Sequence, residues 1–286
     1  MVYTPYMKAW KAKFKALKLE TFNNTKNLIN LIHDSDLPNV SLSEIGFKEA
    51  SQIIADYTVN SKLIQEYEVT RNFPAKDNTS RLGPHLRFGT VSIRNIVKKV
   101  IQESNEVFLQ ELIWREFFMQ ILWHFPHTTT QSFKPKYDRI QWRNNETEFK
   151  MWCEGKTGYP LVDAGMRQLN QTGFMHNRVR MVVGSFLCKH LLIDWRWGEA
   201  YFAEKLHDYE MASNVGNWQW VAGCGVDAAP YFRIFNPTTQ IEKFDKDHNY
   251  IKQWVPDYQE LTYPTPIVGH KMARERCLKV FKEALS

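Results

Sequence analysis

The chain of 286 residues is 43% hydrophobic and 14% aromatic, enough to bury a sizeable core in one large domain or two small ones. It holds no apolar run near the ~18 residues of a membrane span, and its opening lacks the apolar stretch and cleavage site of a secretory signal, so a cytoplasmic protein is expected. A net charge of +6 admits a polyanionic partner without requiring one.

Residues 1 to about 60 open Lys-rich and amphipathic and are expected to form lead-in helices of a single domain whose functional segments lie in 61–286. Thr79-Ser80-Arg81-Leu82-Gly83 sets hydroxyls, backbone amides and a guanidinium just before a helix-like segment, apt for a diphosphate, though a surface turn has much the same letters. Ile93 to Glu103 follows Ser92 as a helix. Val107 to Trp123 is apolar almost all round, as a buried helix is, with Glu111 and Arg115 four apart on one side. Charges there must find partners, either as an ion pair within the helix or outside it. Pro160 suits the first turn of a helix that runs to Gly173, a natural stop. His176 to Leu192 and Gly198 to Lys205 give two more, and Asn177, Arg180 and Met181 share a face at i, i+3 and i+4. Alternating strand patterns are scarce and no strand-turn-helix unit supports a dinucleotide fold. The expected fold class is all-α.

Asp208 to Pro237 sets two acids, an amide and two indoles among small residues. Asp208, Glu210 and Asn214 can bond the edge of a flat ligand to which Trp218 and Trp220 offer π surface. A turn-rich connector with ordinary core tryptophans accounts for the same letters, and composition alone does not choose. Cys153, Cys188, Cys224 and Cys277 stand too far apart for a zinc site or a disulfide framework. The sequence offers no metal constellation, Walker loop, or serine or cysteine triad.

The choice comes from motifs upstream: Thr79 to Gly89 (TSRLGPHLRFG), Glu111 to Phe117 (ELIWREF), Gly155 to Leu169 (GKTGYPLVDAGMRQL) and Met175 to Met181 (MHNRVRM). In this order they resemble the FAD-binding helical domain of the DNA photolyase and cryptochrome family from about Tyr67 to Pro256, and within it a class I cyclobutane pyrimidine dimer photolyase. The resemblance implies a helical cluster around a flavin cavity, with FAD as the cofactor. In the family an α/β domain carrying an antenna chromophore usually stands in front. This chain opens past it, as a truncated product, a gene fragment or a natural single-domain relative would, and the sequence does not choose among them.

By the same resemblance, Thr79, Ser80, Arg81, Leu82 and Gly83 wrap the FAD phosphates with Tyr67 beside them; many relatives have Ser where Gly83 stands. Phe108, in place of a Trp of some relatives, and Arg115 lie on the flavin side. Arg180 and Asp208 flank the isoalloxazine ring, Tyr209 and Glu210 contact the cofactor, and Asn214 sits beside flavin N5. Plant cryptochromes carry Asp at that last place, so Asn214 favours a photolyase-like flavin that can be held fully reduced; Val215 replaces a second Asn. Trp218, Trp195 and Trp142 match the family's photoreduction triad, in that order from flavin to surface, although core packing accounts for any one of them alone.

A buried cofactor reaches a base only after the base has left the stack. The resemblance makes Trp114 and Trp220 the walls for a flipped pyrimidine pair, Glu111 and Asn177 its hydrogen-bonding partners, Met181 an adaptable contact, and Arg178 and Gln240 contacts to DNA. A solvated basic residue explains Arg178 equally well. Relatives that repair the (6-4) photoproduct typically have a second His where this chain has Asn177, which points to cyclobutane dimers. The expectation is a monomeric, light-driven lyase acting on DNA that contains pyrimidine dimers; the alternative is a cryptochrome-like photoreceptor.

Overall fold

The computed structural model describes residues 2–17, 19–20, 22–32, 38–50 and 52–286, and among them every regular element is helical. The α-helices are α1 (Tyr3–Ala16), α2 (Ser61–Thr70), α3 (Gly83–Arg87), α4 (Ile93–Val100), α5 (Val107–His124), α6 (Glu146–Cys153) and α7 (Pro160–Thr172). They continue as α8 (Asn177–Ser185), α9 (Trp195–Lys205), α10 (Met211–Ala222), α11 (Pro237–Phe244), α12 (Asn249–Trp254) and α13 (His270–Leu285). Side chains start many of them. Asn60, Asn145, His176, Asp194, Glu210 and Asn236 each accept a backbone N–H of the helix that follows, using donors that otherwise have no intrahelical partner. Gly173 and Gly223 end α7 and α10 in the left-handed region, at φ 64° and 93°.

Two expected segments differ in detail. The run from His176 to Leu192 is not one helix: α8 stops at Ser185, Phe186–His190 is a π-turn, and Leu192 has φ 51°. The apolar letters continue through the break, so periodicity gave no warning. The wider turn directs buried Lys189 to the carbonyls of Ala222 at 2.8 Å and Tyr231 at 3.2 Å, and buried His190 to His270 at 2.8 Å. The lead-in, expected as amphipathic helices, supplies α1 and a 3-10 turn at Thr25–Asn30; residues 38–50 and 52–60 carry no helix. Asn23, Asn24, Thr25, Asn27 and Pro38 are poor helix formers.

α10 packs between α5, α8 and α9. Two glycines permit this close approach: a Cβ on Gly216 would meet Phe118 of α5 at 2.2 Å, and one on Gly198 of α9 would meet the Trp218 ring at 2.1 Å. One core cluster lies around α7, α8 and α9, and a second around α1, α4 and α5, with α10 reaching both. No described helix is long and apolar enough to cross a membrane.

The buried imidazoles make the fold acid-sensitive. Burial, aided by nearby Arg180, holds His176 down to about 4, and burial, aided by His270, holds His190 down to about 3. The unfolded chain takes up these protons near the ordinary 6.5, so the stability is present above that value and is lost as pH falls through the folded values. Urea midpoints should therefore drop between about pH 7 and pH 4, and His190→Phe should make the drop shallower.

Candidate active site

Glu210 turns its carboxylate back onto α10: Oε1 accepts from the Ala212 amide at 3.0 Å, and Oε2 accepts from the Ser213 amide at 2.9 Å and its hydroxyl at 2.8 Å. This cap fixes the start of a helix on which Asn214 and Trp218, four apart, share a face. That face forms one wall of a cavity of about 350 Å³. The cavity brings together Glu111, Trp114 and Arg115 of α5, Asn177, Arg180 and Met181 of α8, Asp208, Tyr209 and Glu210 ahead of α10, and Asn214, Trp218 and Trp220 within it. Its size lies at the lower end of the roughly 300–1,000 Å³ usual for small-molecule sites.

Arg180 donates from Nη2 to Asp208 Oδ2 at 2.9 Å and from Nε to the Met175 carbonyl at 2.7 Å. Asp208 Oδ1 is buried and has no partner among the described residues. Such an oxygen costs about 1–3 kcal/mol or more, and a ligand N–H or O–H entering the cavity removes that cost. Arg115 makes one long hydrogen bond, from Nη2 to the Leu86 carbonyl at 3.5 Å; burial lowers its pKa, and Glu210 opposes the shift. An open carboxylate oxygen and a loosely held guanidinium in one cavity fit a flavin nucleotide, which carries a ring imide N–H and a diphosphate.

Glu111 does not pair with Arg115. Arg71, at the C-terminal cap of α2, closes on it instead, and burial raises the Glu111 carboxyl pKa against that cation's pull. Nothing in the sequence spacing signals a partner so distant in the chain. Glu199 is a second residue that pattern reading missed. Asn214 donates from Nδ2 to the Glu199 carbonyl at 3.1 Å and to its Oε1 at 2.9 Å, which leaves Oδ1 as the amide's remaining acceptor. Burial pushes the Glu199 carboxyl pKa up.

The Thr79–Gly83 loop stands behind Asp208 and does not line the cavity. Thr79 Oγ1 is buried without a partner among the described residues, Ser80 Oγ accepts from the Leu82 amide at 3.4 Å, and Leu82 is core. Arg81, at φ 55°, pairs with Asp77 at 2.5 Å and lies 3.6 Å over the Phe174 ring. A Cβ on Gly83 would come within 2.7 Å of the Asp208 Cβ, so the serine of many relatives does not fit here unless Asp208 moves. Tyr67 and Phe108 also lie outside the cavity, edge to face at 5.1 Å.

Arg178 and Gln240 do not line it either. Arg178 donates to Asn72 Oδ1 at 2.6 Å and sits 4.3 Å over Phe244, and its pKa is lowered by burial and then by Arg71 and Arg233. These guanidiniums form a basic cluster, and Arg233 also reaches the Trp220 ring at 5.9 Å. Tyr3 of α1 stacks on Trp114 at 3.6 Å, nearly parallel at 8°, and takes one face of that indole. Trp218 is buried against Phe202 and Trp152, whereas Trp195 and half-buried Trp142 lie outside the cavity in the same core cluster.

A helical domain enclosing such a cavity is a cofactor-binding unit, and comparison with known proteins gives its kind. Residues 108–262 match the FAD binding domain of DNA photolyase. A deoxyribodipyrimidine photo-lyase of Vibrio cholerae is 39% identical over 327 aligned residues, covering 99% of this chain and 68% of that protein. A bacterial class III photolyase from Agrobacterium tumefaciens superposes with a TM-score of 0.74 at 45% identity, over 78% of this chain and 53% of its own. A Synechocystis cryptochrome superposes at 0.70 with 33% identity, over 77% and 52%. The chain belongs to the DNA photolyase FAD-binding family, and its cofactor is FAD. It spans about two thirds of the Vibrio relative and about half of each solved neighbour. The Agrobacterium protein is of class III and the motifs resemble class I; the likenesses give the family and no branch within it.

Proposed function

We propose that the protein is a light-driven lyase that splits cyclobutane pyrimidine dimers in DNA. One observation carries this reading: residues matched to the flavin and residues matched to the lesion line a single cavity. Bound there, reduced FAD supplies a photoexcitable one-electron donor. Asp208 would accept from the bound cofactor while Arg180 holds the carboxylate in place, and the Asn214 amide, its Nδ2 committed to Glu199, would offer Oδ1 to a protonated ring nitrogen. Trp220 and the open face of Trp114 stack on the flipped pyrimidines, at about 1–3 kcal/mol per base. Arg71, Arg178 and Arg233 offer positive charge to the phosphates beside them. With this function we place the protein in the cytoplasm as a monomer, for which sedimentation is the check.

Glu111, whose carboxyl pKa burial raises against the pull of Arg71, donates in its protonated form to a pyrimidine carbonyl and so favours negative charge developing there. Its raised pKa sets the sign of the pH dependence: the proton is present at low pH and is lost as pH rises through the raised value. Preference for damaged over undamaged DNA should therefore fade toward alkaline pH, and Glu111→Gln, which donates at every pH, should flatten the profile. A pH-independent preference in the wild type would remove this role.

The test of the whole reading is illumination of reduced protein with a thymine-dimer oligonucleotide and, separately, with a (6-4) lesion. Thymines restored from the first alone support it. No repair of either, with normal flavin photoreduction, supports instead the photoreceptor reading that the likeness to a cryptochrome also favours. Trp218→Phe separates the electron wire from the chemistry. It should abolish photoreduction of oxidised protein and leave repair by chemically reduced protein largely intact.

A further inference from the structure

Trp114 lines the cavity, and the first residue of α1 lies flat against it: the Tyr3 and Trp114 rings are 3.6 Å apart at 8°. Tyr3 is buried and is not among the residues that line the cavity, so it supports the indole without taking space from a ligand. Phe117 meets both rings edge-on, 5.7 Å from Tyr3 and 5.5 Å from Trp114. The Tyr3 hydroxyl donates to the Gln110 carbonyl at 2.8 Å, one turn ahead of Trp114 on α5. Burial, with the charge of Glu111, raises the phenol's pKa, so the hydroxyl stays a donor at neutral pH. Ring and hydroxyl thus hold the same turn of α5.

The same residue reaches toward the second wall. The Tyr3 backbone N–H lies in the first turn of α1, where it has no partner within the helix, and it donates to Asp227 Oδ2 at 3.2 Å. Val2 provides no side-chain cap, so Asp227, 224 positions along the chain, takes that role. Asp227 stands at φ 45°, in the loop beyond Gly223 that follows the helix carrying Trp220. Its neighbour Val226 packs in the core cluster that contains Tyr3. We infer that Tyr3 is a positioning residue for the lesion site, fixing Trp114 by its ring and the loop after Trp220 by its N–H, an inference that rests on the lyase reading above.

An indole with both faces open loses rotamer freedom when a base stacks on it, whereas one already stacked has lost that freedom on folding. Tyr3 therefore raises affinity for the flipped pyrimidines without touching them. Undamaged DNA keeps its bases in the duplex and gains nothing from a fixed Trp114. Stacking of two aromatic side chains corresponds to a factor of roughly 2 to 13 in affinity. Removing the Tyr3 ring does not detach α1, because Trp10 donates to Glu116 at 2.9 Å and Lys11 to Glu106 at 2.8 Å farther along the helix.

Binding isotherms of the flavin-loaded full chain, with a duplex carrying one thymine dimer and with the same duplex undamaged, test this role. Tyr3→Leu should weaken binding of the dimer duplex roughly 2- to 13-fold and leave the undamaged one unchanged, while Tyr3→Phe, which keeps the ring, should stay near wild type. If Tyr3 acts through Trp114, Tyr3→Leu should cost nothing further in a Trp114→Ala background, whereas a general loosening of the fold would add to it. Asp227→Gly removes the acceptor at a φ that glycine adopts freely; it should lower lesion affinity in the same direction, and it decides the matter if Tyr3→Leu does not fold. Equal losses on both DNAs, a loss in Tyr3→Phe as large as in Tyr3→Leu, additive losses in the double variant, or unchanged lesion affinity in Asp227→Gly each overturn the inference. Trp114→Ala tells that failure from failure of the reading beneath it. If Trp114→Ala keeps wild-type lesion affinity, the stacking wall itself is misassigned; if it loses affinity and Tyr3→Leu does not, only the role of Tyr3 falls.

Discussion

Asp208→Ala releases the flavin: the variant should purify pale where the wild type purifies yellow. The substitution removes the acceptor of Arg180 Nη2 and a buried carboxylate oxygen that has no partner among the described residues. Breaking a fully buried pair costs about 3–5 kcal/mol, and this one, with side chains 25% and 20% exposed, belongs below that range. A loss near 2 kcal/mol weakens binding about 30-fold. Gly83→Ser approaches the same carboxylate from behind. Its Cβ would sit 2.7 Å from that of Asp208, so the aspartate must shift, and a smaller loss of affinity should follow. Titration of apoprotein with FAD, read by fluorescence, measures both. Wild-type affinity in a folded Asp208→Ala variant would take Asp208 out of the site.

How much of this was legible in the letters depended on whether the governing interaction is local. Helix α5 was readable because its apolar residues, twelve of eighteen, are spread almost all round and leave no other element to assign, and α7 was readable because proline opens it and glycine closes it. The all-α class followed from such local signals. The cavity's residue set came from motif order, which preserves what spacing alone does not encode. Long-range pairing stayed hidden. Arg71 reaches Glu111 from the end of another helix, Glu199 holds Asn214, and Tyr3 stacks on Trp114, and no periodicity links any of these partners. The π-turn after α8 was hidden for the opposite reason: its residues are as apolar as a continued helix, and the backbone changes pitch to satisfy Lys189 and His190. Gly83 shows a third case. The letter was plain, but its meaning, contact with Asp208, exists only in three dimensions.

Substitutions at the cavity mouth should divide into two behaviours. Glu111→Ala and Trp220→Ala keep FAD, because neither residue holds the Arg180–Asp208 pair, yet they should lose discrimination between damaged and undamaged DNA. For Trp220 the lost stacking is about 1–3 kcal/mol, a factor of roughly 5 to 150 in affinity for the lesion. Glu111→Ala also leaves Arg71 without its partner, which adds a cation to the mouth and should tighten binding to undamaged DNA even as specificity falls. Arg178→Ala should act differently, weakening both DNAs alike and reducing the salt slope by about one unit or less. Its tie to Asn72 and its stacking on Phe244 argue for the lower end, since a guanidinium already held has less freedom to follow a phosphate. Binding isotherms for damaged and undamaged duplexes at several salt concentrations measure all three variants. Equal losses on both DNAs for Trp220→Ala, or a lesion-specific loss for Arg178→Ala, would reverse the assignment of stacking wall and phosphate contact.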